Sequence, residues 1–395
     1  MASPGMSRGQ FYAGLLQALL VIVPLTIAIR ASNNMLLTTI PLLARYDFHF
    51  TNALIGVISA LTSFVTFISS GIINARLSSE LRRVAFIVSS VVYAGVFPLF
   101  AFSSALTIWL LSAVAGFVLG FLMPNVITSA SLLPSRTDRE RLLNIYTLSL
   151  STALVVGPAI ESLILKYFSL RESFIFFTIF PIVSVVTAFM LKFPEERGNR
   201  NGIDFGVVVH NPGFITAVLN IATYNIVFSF LMAFGGIYAR EAFGMDYSEI
   251  EILFSVFFVA SFLGRLYLSI RPAVRLWPYM ALAVMMTVTG VLVIALTNNP
   301  LVYAAALLVL GVPHGTTYPL SVVSISRSFK PEERNAANSI FFSFMMLIGI
   351  VTPTVTGYLA DLIGIRNTFI VLAPPIILIL LLMRRYVVAV DRPRD

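Results

Sequence analysis

Three ionisable residues, Arg30, Glu161 and His314, lie inside long apolar segments of the sequence. An arginine at the centre of a membrane-spanning helix costs on the order of 2.5–3.5 kcal/mol when it faces lipid. Such a group must therefore face protein or water, and it is often part of a substrate or proton pathway. Arg30 could bind an anion, Glu161 could take up and release a proton, and His314 could do either.

Polar residues accompany these groups at helical spacing. Asn33, Asn34 and Thr38 follow Arg30 by three, four and eight residues, so all four lie on one face of a helix. Tyr318 follows His314 by one turn. We expect the substrate-binding side chains among the polar residues of such segments: Arg30, Asn33, Asn34, Asn125, Asn220, Tyr224, Asn225, His314 and Tyr318.

Glu161 is the expected partner of Arg30, because their estimated heights in the membrane differ by only about 5 Å. A buried pair of this kind could simply fix helix packing, since removing one partner strands a charge. It could also couple transport to protons. An anion that competes for Arg30 would deprive Glu161 of its countercharge, and Glu161 would then take up a proton.

His314 is a second candidate for substrate binding or proton coupling. It lies in the segment GVPHGTTYP (311–319), where two prolines and two glycines weaken the helix and could expose backbone groups to a ligand. The alternative is a neutral histidine that is hydrogen-bonded to a neighbouring carbonyl group. The residues around it do not decide between these two interpretations.

The sequence offers little for enzymatic chemistry, so we do not expect an enzyme. Cysteine is absent, His49 and His210 fall in loops or at helix ends, and no acidic cluster accompanies them, so a metal site is not expected. A phosphate-binding Gly-x4-Gly-Lys-Ser/Thr loop is also absent, and we expect no cofactor. An intramembrane enzyme or a membrane sensor without transport activity remains a less favoured alternative.

The composition indicates a membrane protein that crosses the bilayer many times. Of the 395 residues, 58% are hydrophobic and only 11% are charged, and the mean hydropathy is +0.92. Because lipid offers no partner to backbone polar groups, long apolar segments must be helices. Twelve are long enough: 12–44, 51–75, 84–102, 106–131, 142–168, 172–193, 213–239, 248–271, 276–297, 301–326, 336–361 and 367–389. The sequence therefore predicts an all-α fold with twelve transmembrane helices.

The distribution of charge predicts the orientation. If the N-terminus is cytoplasmic, 20 of the 26 basic residues lie on the inner side and five on the outer side. We therefore expect a multi-pass protein of the cell (cytoplasmic) membrane with both termini in the cytoplasm. The sequence pI of 9.8 then reflects orientation and contact with anionic membrane lipids, and nucleic acid is not expected as a partner.

The second half of the chain repeats the first at an offset of 195 residues. Arg45 matches Arg240, Arg171 matches Arg366, and Pro158 matches Pro353. Since each half holds an even number of spans, the two repeats enter the membrane from the same side. We expect two six-helix bundles, residues 1–193 and 213–395, joined by a cytoplasmic connector, residues 194–212.

The whole chain resembles the major facilitator superfamily of secondary transporters. The resemblance rests on the twin loops PSRTDRERLLN (134–144) and FKPEERNAANS (329–339), together with GYLADLIGIRNTFI (357–370) and LRESFI (170–175). It implies that the first, fourth, seventh and tenth helices line a central cavity and that the two halves rock around it. It also implies a gate near the loop after the second helix, for which the candidates are Arg76, Glu80, Arg82 and Arg271.

Two motifs of the family are incomplete. Ala75 stands where the family has the gate aspartate, and Glu80 could take its place. Gly157 and Pro158 resemble the core of the antiporter signature without its surrounding glycines, so antiport does not follow.

The favoured function is secondary active transport of a small-molecule substrate, namely a small organic anion carried in symport with protons by a monomer. The alternative is proton-coupled efflux of hydrophobic or cationic compounds, a multidrug-type antiport with Glu161 as the carboxylate. The identity of the substrate, the coupling ion and the direction of transport stay open at this stage.

Overall fold

The computed structural model describes residues 8–130, 136–191, 193, 205–330 and 333–391, and over these ranges it is helical without a β-strand. The α-helices of the described residues, in chain order, are α1 (Arg8–Tyr46), α2 (Asn52–Phe67), α3 (Ser79–Val96), α4 (Thr107–Ala130), α5 (Arg136–Leu165), α6 (Leu170–Phe177), α7 (Ile179–Ala188), α8 (Phe205–Val209), α9 (Pro212–Phe243), α10 (Tyr247–Ile270), α11 (Leu276–Leu296), α12 (Pro300–Ser328), α13 (Arg334–Ile363) and α14 (Ile365–Asp391).

The predicted fold class is confirmed. Within the described ranges, 12 helical segments are long and apolar enough to cross a membrane. The sixth of them, Leu170–Ala188, is built from α6 and α7 in succession. Helices satisfy their own backbone hydrogen bonds, which is the condition that a lipid environment imposes.

Local sequence signals set the ends of these helices. A capping box between Ser169 and Glu172 starts α6, and the side chain of Asn211 accepts hydrogen bonds from backbone N–H groups at the start of α9. Asn299 does the same for α12, where Pro300 is the first helical residue. Gly244 ends α9 with a φ of 68°, a conformation that glycine adopts without strain.

One helix lies where a polar connector was expected. The short helix α8 falls within residues 194–212, and its Val208 is fully buried. Val208 packs in an apolar cluster that includes Phe214 of α9 and Phe341 of α13. The polar residues before α8 hid this anchor, because a single apolar turn gives no clear periodic signal.

The chain forms two compact units. The first takes the described residues of Met1–Leu43 and Leu61–Gly198, and the second takes those of Ala44–Ala60 and Asn199–Asp395. The segment Ala44–Ala60 holds the end of α1 and the beginning of α2. It belongs to the same unit as the described residues of Asn199–Asp395, the second half of the chain.

The internal repeat is visible as repeated close contacts between helices. A Cβ atom added to Gly116 would lie 2.5 Å from the carbonyl oxygen of Thr62, so α4 and α2 touch through their backbones. With 195 added to each number, the pair becomes Gly311 and Phe257, where the same distance is 2.2 Å. Each unit therefore packs its second and fourth spans together through a small residue, as membrane helices commonly do.

The matched pair Arg171 and Arg366 has the same role in both halves. Arg171 donates hydrogen bonds to the carbonyl oxygens of Ala101 and Ser103, 3.2 and 2.8 Å away. Arg366 donates to the carbonyl oxygens of Ala295 and Leu296, which end the corresponding helix of the second half. These arginines satisfy carbonyl groups at helix ends, so they belong to the framework.

Candidate functional site

The accessible face of α1 carries Arg30. Residues that keep partial exposure along this helix recur every three or four positions, so they form one stripe: Val23, Ile27, Arg30, Asn33 and Leu37. Arg30 is half-buried, and among the described residues it makes no hydrogen bond or ion pair. A guanidinium group in this state has all its donors available to an anion.

Two of the polar residues expected on the Arg30 face, Asn34 and Thr38, lie in the interior of the unit. Asn34 is buried, and its side-chain nitrogen has no hydrogen-bond partner. Thr38 is buried as well and donates to the carbonyl oxygen of Asn34, 3.3 Å away. Only Arg30 and Asn33 of the predicted four therefore share the accessible stripe.

Glu161 is fully buried in α5 and is hydrogen-bonded to α1, but its partner is Thr39. The hydroxyl of Thr39 donates to one carboxyl oxygen of Glu161, and the other oxygen has no hydrogen-bond partner within the described ranges. The predicted ion pair between Arg30 and Glu161 is therefore wrong.

The direction of the Glu161 side chain explains this error. Gly157, one turn before Glu161, packs directly on Ala31, beside Arg30. Glu161 lies about 6 Å further along α5, whereas Thr39 lies about 12 Å beyond Ala31 along α1. The carboxyl group thus extends along α1 away from Arg30, and about 13 Å of helix separates Arg30 from Thr39.

In the second unit, α9 and α12 meet through buried polar side chains. The amide nitrogen of Asn220 donates to the carbonyl oxygen of Thr317 and to the hydroxyl of Ser321, both 2.9 Å away. The amide oxygen of Asn220 and the hydroxyls of Tyr224 and Thr317 are buried without hydrogen-bond partners. Buried polar atoms of this kind usually bond to water or to a ligand.

His314 lies in the same interface, one turn from Thr317. Its Nδ1 atom is 2.7 Å from the hydroxyl of Ser261 on α10. The neutral-histidine interpretation expected a carbonyl group as the partner of His314, whereas the observed partner is a hydroxyl group. Four aromatic rings surround the imidazole with centroids 4.6–5.6 Å away: Tyr224, Phe228, Phe257 and Phe258.

The remaining candidates for substrate binding have varied environments. Asn225 lies on an accessible stripe of α9 and donates to the carbonyl oxygen of Met345, 3.0 Å away. Asn125 is buried and donates to Asn74 and to the carbonyl oxygen of Phe121. Tyr318, one turn beyond His314, is 44% exposed and is therefore accessible to a solute or lipid.

The predicted gate residues are distributed over both units, Arg76, Glu80 and Arg82 in the first and Arg271 in the second. Arg76 and Arg271 are exposed at the ends of their helical segments. Glu80 is exposed in the first turn of α3, and among the described residues it makes no ion pair. Arg82 donates to the carbonyl oxygen of Asn74, 3.1 Å away. The loop 134–144, one of the two segments that carried the family resemblance, lies almost entirely outside the residues whose side chains the structure describes.

Sequence reasoning missed three residues of this region. Thr39 and Ser261 are buried hydroxyls whose partners lie on other helices, and neither spacing nor composition distinguishes them from packing residues. Glu251 of α10 is a charged residue that the sequence analysis did not single out, and it is fully buried. Its position one turn inside the helix was the available signal, since an acid there is no longer at the helix end.

The sequence model of the Major Facilitator Superfamily matches residues 22–239 and, in a second match, residues 235–395. Together these two matches cover most of the chain, one match to each half. The chain belongs to the major facilitator superfamily. The resemblance that the loop segments indicated is thereby confirmed, and the chain is a multi-pass membrane transporter with a small-molecule substrate.

Solved structures of other transporters share this fold. A bacterial homologue of the human lysosomal transporter Spinster, in an inward-facing and occupied conformation, superposes with a TM-score of 0.69 at 14% identity, over 99% of this chain and 100% of that one. The nucleoside transporter NupG gives 0.69 at 13% identity, over 93% and 98% of the two chains. A transporter of the POT family gives 0.76 at 13% identity, over 96% and 97%.

At these identities the structural neighbours establish the fold alone, and their substrates do not transfer to this chain. No curated protein sequence matches the chain significantly. Membership of the family favours transport over enzymatic activity, even though Ser261 and His314 form a hydroxyl–imidazole pair. That pair lies among aromatic rings in a helix interface.

Proposed function

We propose that this transporter carries a small organic anion in symport with a proton, by alternating access. The observation that carries the proposal is Arg30, a cation on the accessible face of α1 that has no protein partner among the described residues. A lone arginine at membrane depth is costly unless it faces water or an anion. Its planar guanidinium group suits carboxylate and phosphate groups, which it binds through two parallel hydrogen bonds.

The repeat supports an acquired role for Arg30. The equivalent residue of the second half is Asn225, which also lies on an accessible stripe but is uncharged and hydrogen-bonded within its unit. The framework of the fold therefore does not require a cation at this position. A positive charge that has no partner in the described part of the chain fits a ligand that supplies the negative charge.

Glu161 is the proposed proton site. It is fully buried, it accepts one hydrogen bond from Thr39, and its second oxygen has no hydrogen-bond partner. A carboxylate charge in such surroundings is costly in free energy, so a proton is favoured on Glu161 while the bond to Thr39 lasts. Deprotonation requires that water or a cation reach the group.

Coupling runs through α1 in this proposal, because that helix carries both Arg30 and Thr39. The anion acts on α1 at Arg30, and the proton state of Glu161 acts on it at Thr39, about 13 Å further along the axis. A movement of α1 that separates Thr39 from Glu161 would expose the carboxyl group and release the proton. This proposal replaces direct competition between the anion and Glu161 for Arg30, because Glu161 is hydrogen-bonded to Thr39.

Ligand binding by the purified protein provides the first test. A thermal-shift screen against small carboxylates, phosphates, sugars, amino acids and lipophilic cations should show stabilisation by a class of anions. The Arg30→Gln variant should lose that stabilisation, while Asn225→Ala, at the repeat-equivalent position, should keep most of it. Anion binding that survives in Arg30→Gln, or binding of sugars or cations alone, would contradict the proposal.

The alternative is proton-coupled efflux of hydrophobic or cationic compounds. It draws on the rings of Tyr224, Phe228, Phe257 and Phe258 around His314, since aromatic faces bind apolar and cationic ligands well. In this case efflux should persist in Arg30→Gln and fail in Glu161→Gln. The Arg30 variant therefore separates the two functions.

We further propose that the protein lies in the cytoplasmic membrane with both termini in the cytoplasm, and that residues 1–193 and 213–395 are its functional halves. The excess of arginine and lysine on one side supports this orientation. The natural sequence has no cysteine, so single introduced cysteines can report sidedness without background. A cysteine added after Asp395 should react with a membrane-impermeant maleimide only after the cells are permeabilised.

A further inference from the structure

The N-terminus of α2 is capped by a side chain that lies about 300 residues further along the chain. The carboxylate of Asp361, on α13, accepts hydrogen bonds from the backbone N–H groups of Asn52 and Ala53, 2.8 and 2.9 Å away. The first N–H groups of a helix have no partner within the helix, and a negative charge next to them is favourable. Asp361 thus ties the beginning of α2 to α13.

α2 also has a local cap, the hydroxyl of Thr51, which accepts a hydrogen bond from the N–H of Leu54, 3.3 Å away. The corresponding helix of the other half is capped by residues next to it in the sequence. α10 corresponds to α2, and it is capped by its own Asp246 and Glu249 in a capping box. The residue that corresponds to Asp361 is Lys166, which cannot accept a hydrogen bond from a helix N-terminus. The Asp361 cap is therefore not required by the shared architecture. Of these two repeat-equivalent helices, α2 is capped by the distant Asp361, and α10 does not use the residue that corresponds to Asp361.

The backbones of α2 and α13 also touch next to this cap. A Cβ atom added to Gly56 would lie 2.1 Å from the carbonyl oxygen of Pro353, and one added to Gly357 would lie 2.5 Å from that of Asn52. Both positions need glycine, because any side chain would push the helices apart.

The end of α1 is held in the same unit by charges and rings. Arg45 donates from Nε and Nη2 to one carboxylate oxygen of Glu241, at 2.9 and 2.7 Å. The guanidinium group of Arg240 stacks on Tyr46 and Tyr247, 5.1 and 4.2 Å from their ring centroids. Ala44–Ala60 is thus fixed to the second unit at both of its ends.

We propose that Ala44–Ala60 is a latch, that is, a segment that can separate from α13. In the closed state it lies against α13, and Asp361 is the positioning residue that holds it there. The segment continues directly into Leu43 and Leu61, which belong to the first unit. α1 is one continuous helix across this boundary, and Pro41 removes a backbone hydrogen bond two residues before Leu43. When the first unit moves during transport, α1 must bend near Pro41 or the latch must open.

The second unit contains a matched control for the cap. Asp391 accepts hydrogen bonds from the N–H groups of Leu276 and Trp277 at the start of α11, 2.7 and 2.9 Å away. This cap has the same chemistry as that of Asp361, but both of its helices follow residue 199. Removing it should loosen the second unit without releasing Ala44–Ala60.

Spin labels at Leu54→Cys and Leu362→Cys would report the state of the latch, since both leucines are exposed and neighbour the cap. The labelled protein should show one short distance in liposomes. Asp361→Ala removes two charge-assisted hydrogen bonds, so the ratio of separated to closed latch should rise by about tenfold to a hundredfold. Asp391→Ala should leave the distance unchanged.

An unchanged distance between the two labels in Asp361→Ala would overturn the proposal. An equal rise in the separated population in Asp391→Ala would overturn it as well. If Asp361→Ala does not fold, Gly357→Ala provides the same test, because its new Cβ atom meets the carbonyl oxygen of Asn52. A Gly357→Ala protein that retains the single short distance would also overturn it. These distances need no substrate, so the latch can fail while the proposed transport function stands, and the reverse is equally possible.

Discussion

The hydrogen bond between Thr39 and Glu161 leads to the sharpest prediction about stability. Thr39→Val keeps the shape of the side chain but removes the only hydrogen-bond donor that Glu161 has among the described residues. Both carboxyl oxygens of a fully buried side chain then lack a partner, which costs about 1–3 kcal/mol. We therefore expect Thr39→Val to lower the free energy of unfolding by that amount.

Thr26→Val is the matched control on the same helix. The hydroxyl of Thr26 is also buried, but it donates to the carbonyl oxygen of Ile22, 2.6 Å away, one turn back in α1. That carbonyl can keep its ordinary helical hydrogen bond, so the cost should be on the order of 0.5 kcal/mol. Thr39→Ser, which retains the donor, should also be nearly as stable as the natural protein.

The assay is reversible unfolding of the purified variants in mixed micelles, followed by the fluorescence of the two tryptophans or by circular dichroism. Differences between variants are compared at equal slopes of the unfolding curve, because a changed slope indicates a changed unfolded state. If Thr39→Val costs no more than Thr26→Val, Glu161 does not depend on this donor, and its proposed role as a buried proton site loses its structural basis.

Three further predictions concern the second unit and the helix contacts. Gly315→Ala should destabilise the protein strongly in thermal unfolding, because its Cβ atom would lie 2.0 Å from the carbonyl oxygen of Ser261, whereas Gly95→Ala, with open space around it, should be tolerated. Ser261→Ala should cost about 0.5–1.5 kcal/mol by removing the hydrogen bond to the half-buried His314, as measured by unfolding in micelles. Asn225→Leu should leave anion binding in the thermal-shift assay within about threefold if Arg30 is the principal anion site, a change of about 0.7 kcal/mol.

Most of the fold follows from the sequence, because apolar length and the repeat leave few alternatives. Twelve apolar segments predict twelve helices, since lipid excludes other backbone structures. The offset of 195 residues even anticipates contacts, as Gly116 on Thr62 and Gly311 on Phe257 show. The helix α8 was not predicted, because a single apolar turn inside a polar connector has no period to detect.

The candidate site could be predicted only in part. Sequence spacing fixes which residues share a helix face, and it placed Arg30 and Asn33 correctly on one accessible stripe. It does not fix the direction in which a long side chain extends, and for this reason Glu161 was paired with Arg30 although it reaches Thr39. The partners of Thr39, Ser261 and Asp361 all lie more than 50 residues away, so no local pattern reveals them.

Proton movement coupled to anion transport is the measurement that tests the central claim most directly. The purified protein is placed in liposomes that contain a pH-sensitive dye, and an anion identified by thermal shift is added outside. We predict anion-dependent acidification of the lumen by the natural protein, its loss in Glu161→Gln with anion binding retained, and the loss of both in Arg30→Gln. Normal acidification by Glu161→Gln, or by Arg30→Gln, would contradict the account.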